Sequence, residues 1–137
     1  MTILPAISVR QPWAWAILHA GKNVENRSWS VPEKYLGRPL FLHAGKKREW
    51  ECEKYLRDAL GLDVPGHLPL GGIVGLVQFG SVVESAASTW AERGMKNWII
   101  TAAHPLVFHP CAGSLHFFMA NYPFVIEGAL ESMRQKS

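Results

Sequence analysis

Residues 7–29 read ISVRQPWAWAILHAGKNVENRSW, and the order of the first structural elements follows from them. Residues 7–10 predict a short strand, and Pro12 stands where a helix can begin without losing a needed backbone donor. Gly21 is suited to end this helix, because glycine readily adopts the left-handed conformation common at helix ends. A second strand is predicted directly afterwards, over residues 23–29.

The second predicted strand carries a row of charged and aromatic side chains. Alternation directs Glu25, Arg27 and Trp29 to one side of the strand, and Lys22 precedes them. A carboxylate, a guanidinium and an indole are costly to bury without partners, but they suit a flat, partly anionic ligand such as a nucleotide. We therefore expect these four side chains to converge around one solvent-open hollow.

Each of the four residues also has a purely structural explanation. The Lys22 ammonium could stabilise the C-terminus of the preceding helix, and Glu25 with Arg27 could form a weak ion pair across a sheet surface. Trp29 could stack a base or belong to the core. The sequence alone leaves these alternatives open.

The middle of the chain predicts a strand, a helix and a longer strand. PLFLHAG, residues 39–45, predicts a central strand that Gly45 breaks. Residues 47–60 have the apolar spacing of an amphipathic surface helix. Residues 73–83 predict a long strand, in which Gly75 and Gly80 mark bulges or bends.

The predicted elements together favour an α+β fold. Helices are too few for a repeated strand–helix–strand array, and bulged strands let a small sheet curl. We expect a curved, mostly antiparallel β-barrel flanked by short α-helices. The remaining elements are predicted as a helical turn within 86–97, strands near 106–108 and 114–119, and a terminal helix over 125–133.

Composition predicts a single domain over residues 1–137. The chain has 48% hydrophobic and 18% charged residues, which is ordinary for a globular protein that can fill a core. It shows neither a long apolar stretch nor the basic start and cleavage site of a secretory signal. We therefore expect a cytoplasmic protein whose two cysteines, Cys52 and Cys111, are reduced.

The formal charge of +3 is unevenly distributed along the chain. Residues 1–60 contain 10 Lys and Arg against 6 Asp and Glu, whereas the remainder contains 4 against 5. A local basic excess attracts phosphate, although it does not distinguish RNA from DNA, a nucleotide or an acidic protein. A solvated basic face that serves solubility is the alternative.

His43, Lys46 and Lys47 end the apolar strand PLFLHAGKK. Strand ends open onto the mouths of barrels, where ligands collect, so His43 is a candidate general acid or base and the two lysines are candidate phosphate contacts. A histidine in an apolar strand can instead be a hydrogen-bonded core residue, and the lysines can belong to the next helix.

No cofactor is expected, and the sequence leaves a divalent metal open without indicating one. Three histidines and a cysteine lie close together near the C-terminal end, but their spacing matches no standard zinc pattern. The same segment contains residues that are more typical of turns than of a metal site, namely Pro105, Pro110 and Gly113. The residues in question are His104, His109, Cys111 and His116.

The segments SVRQPWAWAI, GKNVENRSW and PLFLHAGKK, in this order, resemble the ASCH domain family. The sharpest element is similar to the family's G-x-K-T-x-E-x-R motif, represented by Gly21, Lys22, Glu25 and Arg27. The spacing between glycine and lysine is shorter by one, and Asn23 stands where threonine is common. The resemblance implies a PUA-like β-barrel, related to the YTH and EVE domains that read RNA.

The resemblance also implies an RNA-related function in a cleft beside the barrel, lined by the motif residues. Some family members are ribonucleases, and others are amidohydrolases that remove the acetyl group from N4-acetylcytidine with a lysine, a threonine and a glutamate. The threonine of the amidohydrolase pattern falls on Glu25 here.

Three functional hypotheses follow. The leading one is a ribonuclease for single-stranded RNA, in which Lys22 and Arg27 bind the phosphodiester, Glu25 or His43 transfers protons and Trp29 stacks a base. The second is an amidohydrolase acting on N4-acetylcytidine or a related acylated nucleoside, with Lys22 activating the attack. The third is a reader that binds RNA or a modified base without chemistry. The partner in each case is RNA, a nucleotide or a nucleoside.

Overall fold

The computed structural model describes residues 1–136, and within them it contains six strands and three α-helices. The predicted domain limit at residue 137 lies outside the described residues, and the single domain stays a prediction. The elements in chain order are β1 (Thr2–Gln11), α1 (Trp13–His19), β2 (Val24–Arg27), β3 (Leu40–Arg48), α2 (Trp50–Leu60), β4 (Gly72–Val83), β5 (Lys96–Pro110), β6 (Phe118–Tyr122) and α3 (Glu127–Lys136).

The six strands form one sheet in the order β2-β5-β4-β3-β1-β6. Only β1 and β3 run parallel, and every other neighbouring pair is antiparallel. The predicted α+β class and the mostly antiparallel sheet are therefore confirmed. Because β2 and β6 form the two edges, the paired sheet is open, and closure into a barrel stays a prediction.

Each face of the sheet is covered by one helix. The apolar side chains of α1, including Ala14 and Ile17, belong to one buried cluster with Ile7, Leu42 and Trp98. On the opposite face, helix α3 completes a second buried cluster with its fully buried Met133. Burial on both faces explains why β3 and β4 read as continuous apolar runs.

The sheet is strongly curled. Strands β5, β4 and β3 lie between β2 and β1 in the sheet, and yet β2 and β1 come close enough for a side chain to bridge them. The Nη2 of Arg27 on β2 donates to the main-chain oxygen of Ser8 on β1 at 2.8 Å. In a flat sheet these strands would lie about 19 Å apart, four steps of about 4.8 Å. Curling therefore brings the charged strand β2 next to the basic end of β1.

Irregular pairing of β4 with β5 allows this curvature, and the irregularities lie near the two glycines that were predicted to mark bulges or bends. The pairing register of β4 with β5 shifts between Ile73 and Gly75 and again on either side of Phe79. A Cβ on Gly75 would lie 2.7 Å from the Cδ2 of Leu18 and from the carbonyl oxygen of His104. Glycine at this bulge lets α1 pack directly on the sheet.

Three element predictions were wrong, and a fourth was displaced. The strand predicted near 114–119 begins four residues later, as β6 (Phe118–Tyr122). Gly45 does not end β3, which runs on to Arg48 and pairs it with Gln11 past a bulge that holds two extra residues of β3. Residues 86–97 contain turns and the start of β5 and no helix. The strand predicted near 106–108 is the end of the fifteen-residue strand β5. Pro105 made the sequence of that strand look like a turn. In the structure Pro105 pairs with Gly75 beside a bulge, where the missing backbone N–H of proline is tolerated.

Candidate functional site

The end of α1 fixes the position of Lys22. Gly21 adopts a left-handed conformation with φ of 74°, and the Lys22 backbone N–H then donates to the Ala16 carbonyl at 3.0 Å. The lysine side chain turns inward and is only 4% exposed. Its Nζ donates to the Val24 carbonyl and to Oε1 of Glu25, the latter at 2.9 Å. The ammonium also lies 5.8 Å from the ring centroid of Trp13.

Glu25 lies between two cations. Its Oε1 accepts from Lys22, and its Oε2 accepts from the Nε of Arg27 at 2.9 Å. Burial alone would raise the pKa of the Glu25 carboxyl, but the charges of Lys22 and Arg27 and the hydrogen bonds they donate hold that pKa below its ordinary value. Glu25 is therefore an ionised carboxylate that anchors both cations.

The first of two adjoining cavities has an aromatic wall. This aromatic cavity has a volume of about 420 Å³, and Lys22 and Glu25 lie on its lining. The loop after β4 contributes Trp90 and Glu92, and α2 contributes Tyr55. Its aromatic lining residues are Trp13, Tyr55 and Trp90.

The second cavity has a basic wall. This basic cavity has a volume of about 490 Å³ and lies between the ends of β1 and β3, β2 and the loop before β6. It shares Trp13, Glu25, Asn26, Glu49 and Glu92 with the aromatic cavity, so the two cavities adjoin, and together they are called the cleft. Its basic lining residues are Arg10, Arg27, Lys46 and Lys47.

Glu49 holds the Trp13 ring in place between the two cavities. The indole Nε1 of Trp13 donates to Oε2 of Glu49 at 2.9 Å, and Arg10 donates to Oε1 at 3.2 Å. Burial acts to raise the Glu49 pKa, but hydrogen bonds from Trp13, Arg10 and Cys52 outweigh it and keep the pKa below its ordinary value. Burial and the neighbouring carboxylates raise the pKa of Cys52 to about 11. The thiol in the cleft therefore stays protonated near neutral pH and is a poor nucleophile.

Asn26 and Asn97 tie the loop that carries Trp90 and Glu92 to the sheet. The Nδ2 of Asn26 donates to the Trp90 carbonyl at 2.9 Å, and its Oδ1 accepts from the Glu92 backbone N–H at 2.9 Å. The buried Asn97 donates to the same Oδ1 and to the Glu92 carbonyl. The loop wall of the cleft is therefore set before any ligand arrives.

The structure brings together three of the four residues expected to converge. Lys22, Glu25 and Arg27 form one hydrogen-bonded chain, although Lys22 and Glu25 expose little surface, 4% and 7%. Trp29 lies elsewhere, because β2 ends at Arg27 and the strand alternation ends with it.

Trp29 packs on the aromatic part of the core and lines neither cavity. Its ring meets Trp98 edge-on, with centroids 4.9 Å apart, and also contacts His116 and Phe117. Trp98 is completely buried in β5 and donates its Nε1 to the Trp29 carbonyl. The aromatic residues that line the cleft are instead Trp13, Tyr55 and Trp90.

His43 also lies outside both cavities, which corrects its expected place at an open strand end. It is 2% exposed, and its Nδ1 and Nε2 lie 2.9 Å from the Ser8 hydroxyl and 2.8 Å from the Cys111 carbonyl oxygen. Burial lowers the pKa of the imidazole, and the hydrogen bond to Cys111 offsets this only in part. A neutral His43 with both ring nitrogens occupied has the features of a satisfied core histidine.

Lys46 and Lys47 lie where the sequence placed them, at the end of β3 and on the wall of the basic cavity. Both are exposed, and neither forms an ion pair with any residue from 1 to 136. Arg27 is less available to a ligand, since its Nε and Nη2 already donate hydrogen bonds to Glu25 and Ser8. The two lysines are therefore the cations most available to a ligand.

Within residues 1–136, no three His, Cys, Asp or Glu side chains come together in a group that could hold a metal ion. The two cysteines are not joined by a disulfide. Over the same residues, no helix combines the length and apolar character needed to cross a bilayer.

The model of the family described as ASCH domain matches residues 7–110, a range that contains the second half of β1, all of β2 to β5 and nearly all of the cleft. No match was found among curated proteins.

Proposed function

The chain belongs to the ASCH domain family, and from this premise we propose that it binds single-stranded RNA in the cleft formed by the aromatic and basic cavities. The observation that carries the proposal is that the two cavities adjoin and share five lining residues. A base and its adjoining phosphate could therefore occupy the cleft together. Both volumes fall within the roughly 300–1,000 Å³ range typical of ligand sites.

The basic cavity supports phosphate binding. Lys46 and Lys47 are exposed and unpaired among residues 1–136, and Arg27 is held rigidly between Glu25 and Ser8. A guanidinium fixed by two hydrogen bonds loses little freedom when it meets an anion. Each lysine that contacts a phosphate releases condensed counterions and makes the affinity dependent on salt.

The aromatic cavity supports base stacking. Trp13 is fixed by its hydrogen bond to Glu49, and Trp90 is fixed by the backbone bond from Asn26. Stacking on an aromatic ring contributes about 1–3 kcal/mol per base and tolerates any base. Trp13 and Trp90 thus take the stacking role that the sequence assigned to Trp29.

Amide hydrolysis of an acylated base is the second candidate, and the position of Lys22 favours it. The Nζ of Lys22 uses two of its three donors on Val24 and Glu25. The third could stabilise the oxyanion formed when water attacks an amide on a base in the aromatic cavity. Lys22 does not line the basic cavity, and His43 lines neither. The arrangement therefore gives less support to cleavage of the phosphodiester.

Salt-dependent RNA binding tests the main proposal. The affinity for a labelled single-stranded RNA decamer, measured by fluorescence anisotropy, should fall as potassium chloride rises from 50 to 300 mM. The variant Lys46→Ala/Lys47→Ala should bind more weakly and lower the slope of log affinity against log salt, by about 0.7 for each phosphate that is no longer neutralised. The matched control is Lys54→Ala/Lys136→Ala, which also removes two charges but leaves both cavities intact.

The proposal is rejected if binding is independent of salt, or if the two double variants lose affinity equally. Chemistry is tested separately, by incubating the protein with labelled RNA and with N4-acetylcytidine, with and without a chelator. The amide-hydrolysing candidate predicts acetate release by the wild type and none by Lys22→Met. RNA fragments from the wild type would instead restore the ribonuclease hypothesis.

A further inference from the structure

The aromatic cavity contains one carboxylate that the fold does not use. Glu49 is occupied by Trp13 and Arg10, and Glu25 is occupied by Lys22 and Arg27. The side chain of Glu92 is exposed on the cavity wall and has no hydrogen-bond or ion-pair partner among residues 1–136. Its carboxylate is therefore free to accept hydrogen bonds from a ligand.

Glu92 is nevertheless held in position through its main chain. Its N–H donates to Oδ1 of Asn26, and its carbonyl accepts from Nδ2 of the buried Asn97. Trp90, two residues earlier, is anchored to Asn26 in the same way. A stacking ring and an acceptor pair are thus presented together by one anchored loop.

Another residue of the cavity lining, Lys22, contributes a donor. The Lys22 ammonium has one N–H left after its bonds to Val24 and Glu25. Because Lys22 is 4% exposed and lines the aromatic cavity, a ligand in that cavity is its one remaining route to a third acceptor. The cavity therefore offers a free donor and a free acceptor pair beside aromatic rings.

We propose that the aromatic cavity selects a base that carries both a carbonyl and an exocyclic amino group, which means cytosine or guanine. The amino group would donate to Glu92, and the carbonyl would accept from Lys22. Cytosine and guanine carry the amino group and the carbonyl on either side of one ring nitrogen. Uracil carries a carbonyl at both of these positions and adenine carries no carbonyl, so in the same pose each leaves one of the two protein groups unmatched. This specificity rests on the proposed RNA-binding function and adds the class of base to it.

The test uses four pentaribonucleotides UUXUU that differ only in the central base. The wild type should bind the oligonucleotides with X as cytosine or guanine about tenfold more tightly than those with adenine or uracil, the effect expected for one hydrogen bond to a charged group. In Glu92→Gln this preference should shrink to about twofold or less, since an amide offers one acceptor and adds a donor. Trp90→Ala should weaken binding to all four.

Glu127→Gln is the matched control, because it removes an exposed carboxylate on α3 that lines neither cavity. It should retain the wild-type preference. The proposal is overturned if the wild type binds all four oligonucleotides equally, or if Glu92→Gln keeps the full preference. Equal binding that still weakens with salt would overturn only the base selection, whereas no binding to any RNA would overturn the proposed function as well.

Discussion

Arg27 on β2 and Ser8 on β1 are joined by a 2.8 Å hydrogen bond from guanidinium to main-chain carbonyl, although three strands separate them in the sheet. The same guanidinium donates to Glu25 and lies 5.5 Å from the ring centroid of Trp98. One side chain thus holds the curled sheet together and lines the basic cavity. The hydrogen bonds of Arg27 therefore serve both the fold and the candidate site.

Replacing Arg27 with lysine should loosen the edge strand. Lysine cannot donate to Glu25 and Ser8 through a rigid fork, so the free energy of unfolding should fall by about 1–3 kcal/mol. Amide hydrogen exchange of residues 24–27 should become faster than in the wild type. Arg38→Lys is the control, because Arg38 reaches only the carbonyl of Lys34 at the surface. Unchanged exchange in β2 would show that the bridge does not hold the strand.

Glu25→Gln should be more destabilising than Lys22→Met. Neutralising Glu25 leaves the buried Lys22 ammonium without its counter-charge, at a cost of about 3–5 kcal/mol. Removing Lys22 leaves Glu25 still paired with Arg27. Denaturant unfolding measures the stability of the two variants. The control is Asp58→Asn, which breaks an exposed ion pair with Lys54 and should change the free energy of unfolding by less than about 1 kcal/mol. The reverse order of the two buried variants would contradict the network.

Trp29→Ala should reduce stability and leave the RNA affinity of the folded protein unchanged. The ring packs against Trp98 and Phe117 in the core and lines neither cavity. Truncation of a large aromatic side chain packed on the core costs about 3 kcal/mol. A stable Trp29→Ala protein that no longer binds RNA would return the stacking role to Trp29.

The stability of the protein should depend on His43 in mildly acidic solution. Because burial holds the pKa of folded His43 below the ordinary 6.5, the unfolded chain binds the proton first as the pH falls. The stability that neutral His43 contributes is fully present above pH 6.5. It is lost as the pH falls from 6.5 to the lower pKa of the folded state, and the free energy of unfolding then changes by at most about 1.4 kcal/mol per pH unit. Glu25 and Glu49 also have lowered pKa values, but the stability they contribute begins to be lost only when the pH falls below their ordinary pKa of 4.5.

Urea unfolding from pH 8 to pH 5 measures this effect as the difference between the wild type and His43→Gln. The wild type should lose more stability than the variant over that interval. Parallel pH profiles would show that His43 does not titrate differently in the folded and unfolded states.

Local sequence signals predicted the elements around the charged strand well. Gly21 ends α1 as its conformational freedom suggests, and alternation places Glu25 and Arg27 together. The glycines of β4 mark real register shifts. These features depend on the backbone preferences of single residues or on neighbours within a few positions, so the sequence reveals them directly.

The rest of the site depends on contacts that are distant in the chain. Trp90 and Glu92 reach the cleft because Asn26 and Asn97 bind their backbone, across as many as 66 residues. Trp90, an aromatic residue in an irregular segment, is the one local signal that points to this loop. Trp29 was misplaced because the alternation was extended two residues past the end of β2.

The position of the ligand is most directly measured from the indole N–H resonances in ¹H–¹⁵N spectra, assigned with single Trp→Phe variants. During titration with a short single-stranded RNA, the signals of Trp13 and Trp90 should move, and those of Trp29 and Trp98 should stay in place. Movement of Trp29 with Trp13 and Trp90 unaffected would contradict the assignment of the cleft. So would a spectrum that RNA leaves unchanged.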